Sequence, residues 1–264
     1  MEGTRNRVIV ACRIMQPELE KIKLHYDGAE IRYLDQGLHM TPKKMAPVIQ
    51  EQIDLVTGDF DEIVLGYGLC ANGIVGVQAR KEGLYVPKSH DCIALFMGSF
   101  EAYGTAIKQR PGTFYLTAGW IEDRKDPLSY MEDRYVPRMG REMAEWGMKE
   151  ELKNYSHFVL LDTGVGNLDQ MRKTMIENAK FFQKEYEEIP GSLGLLKKMI
   201  MEPLRDNDFI FIEPGGSIRQ NMFISSCGKA SSGETALCPD QVYSGPPVLC
   251  GSGHTLKEPS GDCP

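Results

Sequence analysis

The chain has 264 residues and a net charge of −7, enough length for one large α/β domain or two small lobes with cores of their own. Its basic residues are scattered among acids, which argues against nucleic acid as the main partner, because phosphate binding needs concentrated positive charge. No apolar run approaches the roughly 20 residues that span a bilayer, and the first residues lead into a strand instead of a signal sequence; a cytoplasmic protein with a small-molecule substrate and no membrane partner is expected.

Val8-Ile9-Val10-Ala11-Cys12 is a short apolar run ending at a cysteine, and Pro17, Leu19, Ile22 and Tyr26 continue at helical spacing. A second strand is predicted over 30–34, followed by Gln36-Gly37-Leu38-His39 as a loop. Thr41-Pro42 starts a helix whose stripe is Met45, Ile49, Ile53 and Val56, up to the stop at Gly58; Pro47 is tolerable only in its first turns. The spacing then predicts a strand over 62–65, a helix over 74–82 and a strand over 84–86. Strands alternating with helices give a parallel sheet covered on both faces.

In such sheets ligands bind beyond the carboxyl ends of the strands, where the loops gather. Cys12, Cys70 in Gly66-Tyr67-Gly68-Leu69-Cys70, and His90-Asp91-Cys92 each follow a different strand at that end. A His-x-Cys pair plus a second thiol from a neighbouring strand is a set of ligands for a thiophilic metal, zinc first. The expected metal ligands are therefore Cys70, His90 and Cys92, with Cys12 or Asp162 at a fourth, exchangeable position or acting in catalysis. Each has a plainer reading: Cys12 as a small buried hydrophobe, His90 as a helix cap, Cys92 as a buried thiol. The glycines at 66, 68 and 73 favour close backbone approach.

Beyond these motifs, 93–103 is a helix or buried segment, and 112–117 a strand closing at Gly119-Trp120, whose indole either walls a pocket or edges the core. The stretch from Glu122 to Tyr155 mixes arginines, acids and aromatics, as expected of a solvated helical connection or of a lid whose arginines grip an anion. Phe158-Val159-Leu160-Leu161-Asp162 is a buried strand ending in an acid, and Asn167 caps a helix carrying Leu168, Met171, Met175, Ala179 and Phe182 on one face. The loop between them makes Gly164, Gly166 and Asn167 candidates for binding a cofactor phosphate or carboxylate, against a loop that merely turns the chain. A helix over 193–204 and a strand over 209–213 follow, the strand ending at Pro214-Gly215-Gly216-Ser217. From about Ser225 the composition turns to Ser, Gly and Pro with Cys227, Cys238, Cys250, His254 and Cys263 at no metal-binding spacing, as in a disordered tail. Seven cysteines, an odd count, and no export signal argue against a disulfide framework.

The pairing of Gly66-Tyr67-Gly68-Leu69-Cys70 with Pro87-Lys88-Ser89-His90-Asp91-Cys92-Ile93, followed by Gly98-Ser99 and Gly119-Trp120, resembles a bacterial and archaeal family of unknown function. The resemblance covers roughly 7–223, and the genes of that family often neighbour those of corrinoid-dependent methyltransferases. A local similarity points the same way. Zinc methyltransferases that pass a methyl group from a corrinoid to a thiol also use a His-x-Cys pair and a distant Cys. There the lone Cys follows the pair and sits on a barrel, whereas here it precedes the pair on an open sheet.

The expected fold is α/β, either two Rossmann-like lobes or one extended, mostly parallel sheet with helices on both faces. Its parts are an N-terminal lobe to 121, a connection over 122–155, a second lobe over 156–224 and the tail over 225–264. The expected function is a zinc enzyme activating a thiol or small nucleophile in corrinoid-linked methyl transfer, a corrinoid protein being the partner that would bring that cofactor. The alternatives are a metal-free cysteine lyase or isomerase and a non-enzymatic corrinoid or small-ligand carrier. Oligomeric state has no signature in the sequence.

Overall fold

A computed structural model describes residues 6–26, 28–201 and 208–223. The tail with Cys227, Cys238, Cys250, His254 and Cys263, and the end of the helix expected to reach 204, lie outside the described residues. Among the described residues no helix is long and apolar enough to cross a membrane.

The fold is α/β, with two sheets. The larger is built from β1 (Arg7–Cys12), β2 (Ala29–Leu34), β3 (Glu62–Gly66) and β4 (Leu84–Pro87), all parallel, in the order β2-β1-β3-β4. Strand β1 is buried along its whole length, which is what a continuous Val-Ile-Val run demands when both faces are covered. Helix α1 (Gln16–Lys23), with Pro17 in its first turn, and α2 (Pro42–Asp54) follow β1 and β2. In α2, Met45, Ile49 and Ile53 recur at four-residue steps and are fully buried, the stripe read from the sequence.

Residues 74–82 do not form the expected helix. Gly76 has a φ of +94°, and the donors a helix would need are used elsewhere: Gly76 N–H donates to Ile218 and Ala79 N–H to Gly216, while Val77 accepts from Ile218. The glycine turn near 215 therefore ends as the partner of this segment. Helices α3 (Ile93–Met97) and α4 (Phe100–Gln109) replace the single segment expected over 93–103, separated at Gly98, whose φ of +78° ends the first.

The smaller sheet holds β5 (Thr113–Leu116), β6 (His157–Asp162) and β7 (Glu185–Pro190), parallel and in that order. Strand β7 has too little apolar character to read as a strand: its sequence is Glu-Tyr-Glu-Glu-Ile-Pro, at the edge of the sheet. Helix α5 (Ala118–Glu122) follows β5. The connection then forms α6 (Pro127–Tyr130), a π-helical turn (Met131–Tyr135), α7 (Val136–Met139) and α8 (Arg141–Glu151). This stretch is not simply solvated. Met131, Ala144, Met148 and Leu152 are fully buried, and the side chain of Asn178 in α9 (Leu168–Phe182) donates to Asp126 at 2.6 Å and accepts from Leu128 N–H at 2.8 Å. Two of its arginines are already paired, Arg124 with Asp133 and Arg141 with Glu132, each through two nitrogens.

Helix α10 (Gly194–Met201) leads back to the first sheet, where β8 (Phe209–Ile212) pairs antiparallel with β4. The stretch expected as a second lobe over 156–224 thus gives its last strand to the first sheet. The carboxyl ends of the two sheets abut. A β-carbon on Gly119 would lie 1.9 Å from the Ile14 carbonyl oxygen, so only glycine permits this approach. Ser192 N–H donates to Phe96 O at 2.7 Å, Thr163 Oγ1 to Glu18 at 2.9 Å and Lys21 Nζ to Gly164 O at 2.5 Å.

Candidate metal centre

The two motifs are bound to each other through their backbones. Leu69 N–H donates to Ser89 O at 2.8 Å and Cys70 N–H to His90 O at 2.9 Å. A β-carbon on Gly68 would lie 2.6 Å from the carbonyl carbon of Asp91, so the glycine lets one strand-end loop lie on the other. Asp91 fixes the second loop: its Oδ1 accepts from Ile93 N–H at 2.7 Å, its carboxylate from Tyr103, and its carbonyl from Ser89 Oγ at 2.6 Å.

Cys70, Ala71 and Asn72 have φ values of +47°, +54° and +65°. Left-handed backbone costs about 1 kcal/mol or more at each residue that is not glycine, and such strain persists where the surroundings over-determine it, often at functional sites. Its effect here is to turn the chain sharply at Cys70. The Sγ atoms of Cys70 and Cys92, both buried, are 3.6 Å apart. That is too long for a disulfide, whose bond is about 2.05 Å. Two zinc–sulfur bonds of about 2.3 Å at a tetrahedral angle would place the sulfurs about 3.8 Å apart.

The third member is His39. A nitrogen of its ring and the two sulfurs all lie within 4.8 Å of one another, the one such group of histidine, cysteine and acidic ligands among the described residues. His39 belongs to a 3-10 turn (Gln36–Met40) after β2, where the sequence suggested an irregular loop. Asp35 starts the turn, accepting from Gly37 N–H at 2.6 Å. Burial lowers the His39 pKa to about 4, which keeps the imidazole in the neutral form a metal needs.

His90, expected in this role, is not in that group. Its carbonyl is used to hold Cys70, and Cys92 already has helical backbone as the residue before α3, with φ −74° and ψ −17°. The two-residue alternation that would put positions 90 and 92 on one face has ended by then. His39 fits the rule that points to the thiols, since it too lies beyond the carboxyl end of a strand, but the short His-x-Cys spacing is the stronger local signal.

Cys12, at the end of β1, is fully buried with its Sγ 3.5 Å from His39 Nε2, outside the 4.8 Å group. Tyr67 completes the cluster, its ring stacked on His39 at 6.0 Å between centroids. Burial, then the neighbouring Cys92, pushes the Cys12 thiol up; the contact with Cys92, then burial, pushes up Cys70; burial, then the three thiols, pushes up the Tyr67 phenol. Such a group cannot carry several negative charges unless a cation joins it.

The remaining candidates lie elsewhere. Asp162 accepts from Gly164 N–H at 2.8 Å and Asn167 from Gln170 N–H at 3.1 Å, so both side chains shape the turn into α9. The carbonyl of Gly164 holds Lys21, and a β-carbon on Gly166 would meet Ala118 and Met171 at 3.0 Å. These contacts are those of a loop that turns the chain and docks it on α1 and α5.

Residues 33–200 match a protein family described as Protein of unknown function (DUF1638). The chain belongs to the DUF1638 family. No curated protein and no solved structure matches it. The DUF1638 region begins inside β2 and ends inside α10, and so contains His39, Cys70 and Cys92 but not Cys12 or β8.

Proposed function

We propose that the protein is a zinc enzyme in which Cys70, Cys92 and His39 hold the metal and leave one position for a thiol or another small nucleophile, and that its reaction is methyl transfer linked to corrinoid one-carbon metabolism. The observation that carries the reading is the 3.6 Å separation of two buried thiols from different strand ends, with an imidazole nitrogen inside the same 4.8 Å. Two thiolates and a neutral imidazole suit zinc among divalent ions. When bound, zinc supplies the positive charge that keeps a thiol ionised at neutral pH. The resemblance to a family encoded beside corrinoid methyltransferases supports the choice of reaction.

In that reaction the methyl group leaves cobalt without its bonding electrons, which stay on cobalt as the Co–C bond breaks. A new S–C bond forms at the acceptor, whose proton has gone to solvent. On this reading Cys70 and Cys92 bind the metal and do not attack the methyl group. The metal-free alternative asks a thiol to act as its own nucleophile, and the contact with Cys92, then burial, disfavours the anion of Cys70.

Protein purified without an affinity tag is expected to carry one zinc per chain, and Cys92→Ser to lose it. The zinc-loaded protein should demethylate methylcobalamin in the presence of 2-mercaptoethanol, followed by the change in the corrinoid spectrum, and Cys92→Ser should not. Wild-type protein that holds no metal would overturn the metal site; zinc-bound protein inert toward methylcobalamin and thiol would overturn the assigned reaction.

A further inference from the structure

Tyr67 follows β3 into the thiol cluster, and its hydroxyl has only a thiol to bond with inside the protein. The residue has no exposed surface, and its oxygen makes no well-formed hydrogen bond within the protein; of the three thiols that crowd it, Cys12 is the one it faces as an acceptor. The ring is accounted for by its stack on His39, with planes 25° from parallel. Phenylalanine would fill that place without burying a polar atom. Native interiors seldom leave a buried hydroxyl unpaired, because it has lost water and gained nothing in return. A phenol at neutral pH is a donor and the sulfur of a neutral thiol is a weak acceptor, so Cys12 satisfies the hydroxyl poorly and an anionic acceptor from outside the chain would satisfy it better.

The surroundings narrow the chemistry of that acceptor, given the metal site proposed above. With Cys70, Cys92 and His39 holding zinc, a fourth, exchangeable position would be left for a ligand. A neutral amine bound there has spent its lone pair on the metal and can accept nothing further. A thiolate keeps lone pairs after binding, and its softness matches the sulfur-rich donor set. We infer that Tyr67 is a substrate-binding residue whose hydroxyl donates to an anionic sulfur ligand at the fourth position beside Cys70, Cys92 and His39, which makes the substrate of this site a small thiol bound as its thiolate. Cys12, next to both Tyr67 and His39, is the competing acceptor within the chain.

The test uses full-length protein loaded with cobalt(II) in place of zinc and titrated with 2-mercaptoethanol, reading the sulfur-to-cobalt absorption. Tyr67→Phe should bind one cobalt as the wild type does and yet bind the thiol at least tenfold more weakly, the loss expected for a hydrogen bond to a charged partner. Its affinity for imidazole, a neutral ligand that offers the hydroxyl no acceptor once coordinated, should stay within about twofold of the wild type; a loss as large as that for the thiol would mean a damaged site and would overturn the inference. The same thiol-specific loss should appear in a Cys12→Ala background. Equal thiol affinity with and without the hydroxyl, or an effect that vanishes when Cys12 is replaced, overturns it too. Failure of the wild type to bind cobalt would instead sink the metal site on which the inference rests.

Discussion

At the scale of single residues the site depends on how closely two backbones approach. Gly68 has the atoms of Asp91 where a side chain would begin, at 2.6 to 2.8 Å. Gly68→Ala must therefore push the loop bearing Cys70 away from the loop bearing Cys92. Overpacking of this kind costs about 1–3 kcal/mol, and zinc affinity should fall by more than tenfold, as measured by competition with a chromophoric chelator; unchanged affinity would show that the two loops need not touch. The meeting of this pair was legible in the sequence, since cysteines after two strand ends amid glycines come together as that pattern implies. The imidazole was not. His90 lies two residues from Cys92 in the chain, but the backbone turns between them, whereas His39 arrives from a turn 31 positions before Cys70, a spacing no local pattern records.

At the scale of elements, hydrophobic period decided what could be read. Strands β1, β3 and β6 are runs of Val, Ile and Leu, and helices α2 and α9 carry stripes at three- and four-residue steps, so each was visible. The elements that escaped were those whose backbone bonds are satisfied from far away. Residues 76–79 find their partners at 216–218, a pairing that overrides the helix suggested by composition, and Gly76 is in a conformation a helix forbids. Strand β7 is acidic and at an edge, where only one face and one neighbour constrain its sequence. The connection over 122–155 looked solvated because its arginines and acids are conspicuous, yet Arg124 and Arg141 pair with Asp133 and Glu132 on the outside while Met131, Ala144 and Met148 enter the core.

At the scale of the whole molecule, the two sheets meet at their carboxyl ends, and one contact there should respond to pH. Glu18 on α1 is fully buried, accepts from Thr163 at 2.9 Å through Oε1, and has no partner for Oε2. Burial, with a smaller push from Glu122 and against the pull of Thr163, raises its pKa to about 7. The folded protein thus holds a proton that the unfolded chain releases near the ordinary carboxylate value, so stability falls as pH rises from about 4.5 to about 7 and then levels, by about 3 kcal/mol in order of magnitude. Glu18→Gln keeps the acceptor for Thr163 and should flatten that window, leaving the variant more stable than the wild type at pH 8 and similar to it at pH 5 in urea unfolding; parallel curves would contradict the buried acid. The same meeting of distant segments brings the proposed zinc ligands together, because β2, β3 and β4 each send one of them past its carboxyl end. X-ray absorption at the zinc edge tests this most directly. Two sulfurs at about 2.3 Å and a nitrogen at about 2.0 Å are expected, with the imidazole signal lost in His39→Gln and kept in His90→Gln; a zinc shell without sulfur, or one that changes with His90→Gln and not with His39→Gln, would contradict the proposed ligand set.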